Sequence, residues 1–165
     1  MQRHIIKVTS VCFYHLRRLR QIRNYVSQSV MAQLVTSLVI TRIDYCNSIL
    51  AAVPACRLVL LQRVQNAAAR LVLNLDRRAH ISPALQQLHW LPVMHHVTFK
   101  IATLMQQIFA DLVTFNTTYS QRRHLRTSTS AAVRRAWTQF KKRAFSVCGP
   151  VVWNSLPTAF RNIDS

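Results

Sequence analysis

Four carboxylates are all that this sequence offers for acid–base or metal chemistry. Asp44, Asp76, Asp111 and Asp164 are each more than thirty residues from the next, and there is no Glu in 165 residues. Phosphoryl transfer through two metal ions needs carboxylates that converge on one point, and acid–base hydrolysis commonly needs a matched pair. Such spacing supplies neither, so no catalytic residue, metal ligand or cofactor is assigned. Cys12, Cys46, Cys56 and Cys148 lack the Cys-x-x-Cys spacing of a zinc knuckle. They are expected as buried free thiols of a reducing compartment. The pair His95-His96 and the scattered His4, His15, His80, His89 and His124 show no ligand periodicity.

Cations dominate instead. Twenty-two Lys and Arg against four acids give a formal charge of +18, and eighteen of the twenty-two are Arg. A planar guanidinium grips phosphate through two parallel hydrogen bonds and stacks on bases, which a lysine ammonium does not do. A surplus of this size and type points to RNA or an RNA/DNA duplex as partner, ahead of an anionic membrane surface. No apolar run nears the ~20 residues that span a bilayer, and the expected compartment is nuclear or cytoplasmic, not secreted. The Arg-rich stretch before Asp44 has the composition of a mitochondrial presequence. It runs on without a break into the next helical pattern, however, and is read as a folded element.

Helices must position these cations. One Gly and five Pro leave few turn formers for a many-stranded β fold, while half the residues are apolar, enough for a core. A first helix is expected over residues 11–25, with Cys12, Leu16, Leu19 and Ile22 or Arg23 on one side and Arg17, Arg20 and Asn24 opposite. Ser27 or Ser29 caps a second, which carries Val30, Leu34, Val35, Leu38 and Arg42 at the 3.6-residue period. It continues, straight or bent, towards Leu50, and Pro54 closes it. The third helix, from about Arg57 to Leu75, has the clearest pattern. Leu58, Leu61, Val64, Ala68, Leu71 and Val72 form its apolar stripe, and Arg63, Asn66, Arg70, Asn74 and Arg77 form a polar one. Gln65 and Asn66 suit either a phosphate or a neighbouring helix end.

Further on, Pro83 fits the first turn of a short helix capped by Ser82, which Trp90-Leu91-Pro92 ends. A helix from about Val93 to Leu112 buries Val97, Ile101, Leu104, Met105 and Ile108 and turns His96, Lys100, Thr103 and Gln107 outward. Residues 113–130 read as a loop or tether. Short extended segments are expected at Ala131–Phe140 and Ala144–Val147, then a Gly149-Pro150 turn and a small terminal helix entered through Asn154 or Ser155. The expected fold is mainly α: a helical bundle over 1–112, the tether, and a partly irregular segment over 131–165 with short strands.

Several words of the sequence also resemble a known family. In order they are Tyr14-His15-Leu16-Arg17, Arg42-Ile43-Asp44-Tyr45-Cys46-Asn47-Ser48 and Leu61-Gln62-Arg63-Val64-Gln65-Asn66-Ala67-Ala68-Ala69-Arg70. Then come His80-Ile81-Ser82-Pro83-Ala84-Leu85, Leu88-His89-Trp90-Leu91-Pro92-Val93, Phe99-Lys100, the stretch 123–129, Arg143-Ala144-Phe145-Ser146, Gly149-Pro150 and Trp153-Asn154-Ser155-Leu156-Pro157. Together they resemble the thumb and post-thumb region of reverse transcriptases from LINE-type non-LTR retrotransposons, over nearly the whole chain.

That resemblance implies a bundle of helices beside the template–primer duplex, an RNA-directed DNA polymerase thumb that grips backbone and leaves chemistry to the aspartates of a palm. No Tyr or Phe followed by Asp-Asp occurs here, so the palm would be the missing intramolecular partner and the chain itself no enzyme. Arg17, Arg20, Arg63, Arg70, Arg77 and Lys100 are the candidate phosphate contacts. The chain departs from the family in three places. A stretch with a Cys-Pro-Ala-Tyr-like turn is missing between Met105 and Ala110, Lys141 replaces a usual Gly, and His95-His96 replaces a more basic pattern. A decayed transposon remnant without selected function, or a basic helical interaction protein, are the alternative readings.

Overall fold

The computed structural model describes residues 2–45, 50, 53–107, 131, 133–138, 140–157 and 161. These residues are mainly helical, as the periodicity predicts. They divide into two compact units, Met1–Cys46 with Pro54–His96 and Asn47–Val53 with Val97–Ser165. The expected tether at 113–130 and the motif at 123–129 lie outside the described residues.

In the first unit the opening helix, α1 (Gln2–Ile22), starts well before residue 11. Its buried stripe extends the expected one backwards by seven residues: Ile5, Cys12, Leu16 and Leu19 are all inside. Ile22 is exposed, and the chain tightens into a 3₁₀ turn at Arg23–Tyr25. Ser27 caps α2 (Gln28–Val35), its hydroxyl accepting from the Val30 N–H. That satisfies one of the donors that every helix start leaves open.

The phase of this second helix differs from the expected one. Met31, Val35, Val39 and Ile43 are buried, while Val30 and Arg42 are exposed. Steps of four would drift by about 40° each on an α-helix. A π segment at Thr36–Ile40 takes up the drift before α3 (Thr41–Asp44). There the Thr41 N–H reaches back five residues to the Thr36 carbonyl. The Ser37 carbonyl, which it would serve in an α-helix, instead accepts from the Thr41 hydroxyl at 2.6 Å. A run rich in β-branched residues, Val35-Thr36 and Val39-Ile40-Thr41, makes the regular helix less favourable here. Tyr45 leaves the helix in an extended conformation, and residues 46–49, over which a continuation is expected, lie outside the described residues.

The central element is α4 (Ala55–Leu73), on which α1, α2 and α5 (Ile81–Gln87) all pack. Its apolar stripe is buried as expected, and Gln65 and Ala69 join it. Complete burial of a side chain such as Leu61 or Val64 stabilises the fold by about 1.5–3 kcal/mol. The small Ala69 meets Ala84 and Leu85 of α5, with Leu73, Ile81, Leu88 and Trp90 packed around them.

Both of these helices end in left-handed residues. Asn74 (φ 52°) terminates α4, with the Leu75 N–H bonding the Arg70 carbonyl, and His89 (φ 54°) follows α5. There the Trp90 N–H reaches the Leu85 carbonyl at 2.8 Å and the His89 N–H reaches that of Gln86 at 3.0 Å, a Schellman closure. At the start of α5, His80 rather than Ser82 holds the cap position, and no side chain caps it. The ring of Pro83 is tolerated because it lies within the first turn, where N–H groups lack helical partners.

The helix α6 (Val93–Gln107) buries Val93, Val97, Ile101 and Met105. Leu104 is half-buried, and Ile108 and Leu112 lie outside the described residues. The residues of α6 from Val97 onward belong to the second unit.

In that unit, no strand occurs among the described residues. Residues 133–137 are irregular, and Ala144–Val147, expected to be extended, lead into α7 (Phe145–Ser155). Gly149 and Pro150 stand inside that helix rather than at a turn. The reason is packing. A Cβ on Gly149 would come within 2.6 Å of the Met105 sulfur, so the only glycine in the chain marks a close approach. Burial of Val147, Cys148, Pro150 and Trp153 offsets the hydrogen bond that Pro150 cannot make.

The Trp153-to-Pro157 word is accordingly a helix exit, not an entry. The Asn154 amide donates to the carbonyl of buried Ala131 and accepts from its N–H, both at 2.9 Å. It serves this backbone as a neighbouring strand would.

Candidate nucleic-acid interface

At about 100° per residue, the outer side of α1 opposite its buried stripe is made by Arg3, Lys7, Ser10, Tyr14 and Arg17. All five are exposed, as are Arg18 and Arg20 on its flanks. Fourteen residues separate Arg3 from Arg17, a cationic line of about 21 Å with no acid in the helix. Of this line the sequence reading found Arg17 and Arg20 and missed Arg3, Lys7 and Arg18. Ile5, one heptad before Cys12, was the available signal. Beside the same helix lies a concavity of about 400 Å³ lined partly by His4, Lys7, Arg42 and Tyr45.

The arginines of α4 separate into different roles. Arg63 and Arg70 share the side opposite the buried stripe, but only Arg63 is exposed. Arg70 is half-buried: its Nη2 donates to the Ala79 carbonyl at 3.3 Å, while its buried Nε has no hydrogen-bond partner. It ties the segment after the helix back onto the helix. Arg77 is exposed but lies beyond the left-handed Asn74, in a turn where its N–H bonds the Asp76 carboxylate at 2.6 Å. The expected stripe of three guanidinium groups on one helix is therefore one exposed helical arginine, one structural arginine and one loop arginine. Arg70 and Arg77 lie near the negative end of the helix dipole, whereas Arg63 lies in mid-helix. Lys100, half-buried on α6, belongs to the second unit.

Arg23 is structural, a role that local pattern reading does not reveal. Its Nε donates to the Leu71 carbonyl at 2.9 Å and its Nη2 to that of Val72 at 3.2 Å. Because the chain reversal after α4 uses the Arg70 carbonyl, these two are acceptors that the helix end leaves open. One guanidinium fork closes both.

Gln62 and Gln65 serve a helix end, one of the two roles expected for Gln65 and Asn66. Gln62 donates to Gln65 Oε1 at 2.9 Å and to Asn66 Oδ1 at 2.8 Å, and it accepts from the Val93 N–H at 2.9 Å. Gln65, buried, donates to the Leu91 carbonyl at 2.8 Å. The two words Leu61-to-Arg70 and Leu88-to-Val93 are thus halves of one junction, in which α4 caps the start of α6. Replacing Gln65 by Leu strands the Leu91 carbonyl and should cost about 2 kcal/mol. Thermal denaturation should show the midpoint lowered by roughly 8 °C or more, and a shift below about 2 °C would contradict this assignment.

Among the described residues the remaining chemistry-bearing groups offer one close pair. His96, expected to face outward, is half-buried, with Nε2 at 3.0 Å from Asp44 Oδ1. That is ion-pair distance, outside regular hydrogen-bond geometry. Cys12 and Cys148 are buried free thiols, whereas Cys56 is exposed, contrary to expectation. Burial raises the Cys12 thiol above its ordinary value despite the opposing charge of Arg42, and burial likewise raises Cys148. Both stay protonated at neutral pH and are poor nucleophiles. Among the described residues no cluster of three His, Cys, Asp or Glu is placed to hold a metal ion. Nor is any helix among them long and apolar enough to cross a membrane. No protein-family model matches the chain, and neither the curated proteins nor the solved structures include a match.

Proposed function

We propose that this chain is the thumb and post-thumb part of a LINE-type reverse transcriptase, a part that binds RNA/DNA template–primer backbone and supplies no catalytic residue of its own. The observation that carries the reading is the two-sidedness of α1 and α4. Ile5, Cys12, Leu16 and Leu19 face inward on one helix while Arg3, Lys7 and Arg17 face outward, and on the other Arg63 stands opposite the buried Leu58-to-Val72 stripe. Rods of this kind present guanidinium groups to phosphates without disturbing their packed side. Of the six candidate contacts, Arg17, Arg20, Arg63 and Arg77 are exposed and serve as primary contacts. Arg70, half-buried, contributes charge at longer range, and Lys100, also half-buried, belongs to the second unit. Backbone contacts carry no base information, so binding is insensitive to sequence. Its setting is the nucleus or the cytoplasm, wherever the element's RNA is found.

The alternative is a basic helical partner of an acidic protein. Competition experiments separate the two, with a labelled RNA/DNA hybrid bound to the chain and unlabelled hybrid, either single strand and polyglutamate as competitors. The proposal expects the hybrid to compete best. Equal or better competition by polyglutamate would reject it.

A further inference from the structure

In the second unit, Trp137 is 89% exposed and Phe140 is 85% exposed, the most open large apolar side chains described apart from Tyr25. Burying a ring of that size is among the larger gains available to a fold, and this segment forgoes it twice within four residues. The rings stand among cations. Arg134, Arg135, Lys141 and Lys142 are all exposed, and no acid occurs between Asp111 and Asp164. The far side of the segment is held in place: Thr138 accepts from the Lys141 N–H through its hydroxyl at 3.2 Å and from the Lys142 N–H through its carbonyl at 3.1 Å. These bonds shape the 3₁₀ turn Lys141–Arg143 and set Phe140 beside Lys141 and Lys142.

We infer that Arg134, Arg135, Trp137, Phe140, Lys141 and Lys142 form a second nucleic-acid site, one for single strands, in which unpaired bases stack on the two rings while the four cations follow the phosphates. Every base has a π face, so stacking platforms among cations accept any single-stranded sequence. A duplex keeps its bases stacked internally and offers these rings nothing comparable. The charge decides against a protein occupant of ordinary composition, which would bring no phosphates to four exposed cations. This inference deepens the proposed function, since it assigns single-stranded template to the second unit and duplex to the first.

Trp137 supplies its own readout, because Trp90 is half-buried and Trp153 buried. The full chain is titrated with oligouridylate while tryptophan emission is followed, and binding is followed separately by anisotropy of labelled oligouridylate. Quenching that saturates is expected. In Trp137→Phe most of that quenching should vanish while anisotropy still reports binding. The double variant Trp137→Ala/Phe140→Ala should bind single strand about tenfold or more weakly, with unchanged affinity for the RNA/DNA hybrid and an unchanged melting curve. Quenching that persists in Trp137→Phe would overturn the inference. So would wild-type affinity of the double variant, which would leave the rings as a protein-docking surface. Loss of hybrid binding alone, with quenching intact, would reject the duplex reading and leave this one standing.

Discussion

Replacing Arg23 by Met should destabilise the first unit by about 3 kcal/mol, because hydrogen bonds to a charged group are each worth roughly 1.5–3 kcal/mol and two to the helix end are lost at once, with a longer one to Val26. The Leu71 and Val72 carbonyls lose the Arg23 guanidinium as donor at the end of the helix on which three others pack. Solvent can repair part of this, since Arg23 is only half-buried, which keeps the figure at the low end of the sum. For a unit of this size the midpoint of thermal unfolding should fall by roughly 10 °C or more. Arg20→Met, three residues earlier and exposed, is the control and should leave the midpoint within about 2 °C. Equal melting of the two variants would show that the Arg23 fork does not hold the helix end. Lysine should not rescue Arg23, since an ammonium cannot span two carbonyls with a planar fork.

The opposite pattern is expected for binding. The quadruple variant Arg17→Gln/Arg20→Gln/Arg63→Gln/Arg77→Gln removes only exposed guanidinium groups. Its melting should match that of the parent chain, while its affinity for an RNA/DNA hybrid near physiological salt should drop about 100-fold. The loss should be the same for unrelated hybrid sequences, because phosphate contacts position a protein without reading bases. A variant that binds as well as the parent would show that the charge surplus acts diffusely and that these four side chains are not the contacts. Arg23→Met, its control Arg20→Met and the quadruple variant together sort the arginines into those that build the fold and those that face a ligand.

That sorting marks the boundary of what local pattern reveals. The apolar stripes of α4 and α6 were readable because burial on one side of a helix leaves a period, and every residue predicted inside α4 is inside. The Ser27 cap was readable because its signal is adjacent to the helix it starts. The phase of α2 was not, since a π segment breaks the period on which the reading depends. Arg23 and Arg70 were beyond reach for a different reason: their partners are set by the tertiary fold, forty-eight residues away for Leu71 and nine for Ala79. Periodicity assigned Arg23 to the buried side and Arg70 to the outer side, but neither position says that a guanidinium ends on a backbone carbonyl.

The last third misled for a related cause. Gly149-Pro150 and Trp153-to-Pro157 carry strong turn and cap signals. The local preference yields here to contact between Gly149 and Met105 and to the amide pair between Asn154 and Ala131. The motif order noted in the sequence gains a physical reading from the junction of Gln62 and Gln65 with Leu91 and Val93. Two words about thirty residues apart each supply half of one set of hydrogen bonds.

If exposed arginines of the first unit bind nucleic-acid backbone, the salt dependence of hybrid binding must differ between the parent chain and the quadruple variant. Each phosphate neutralised on a duplex contributes about −0.9 to the slope of log affinity against log salt, so the two slopes should differ by roughly 3.6. Parallel lines would contradict the claim, whatever the absolute affinities.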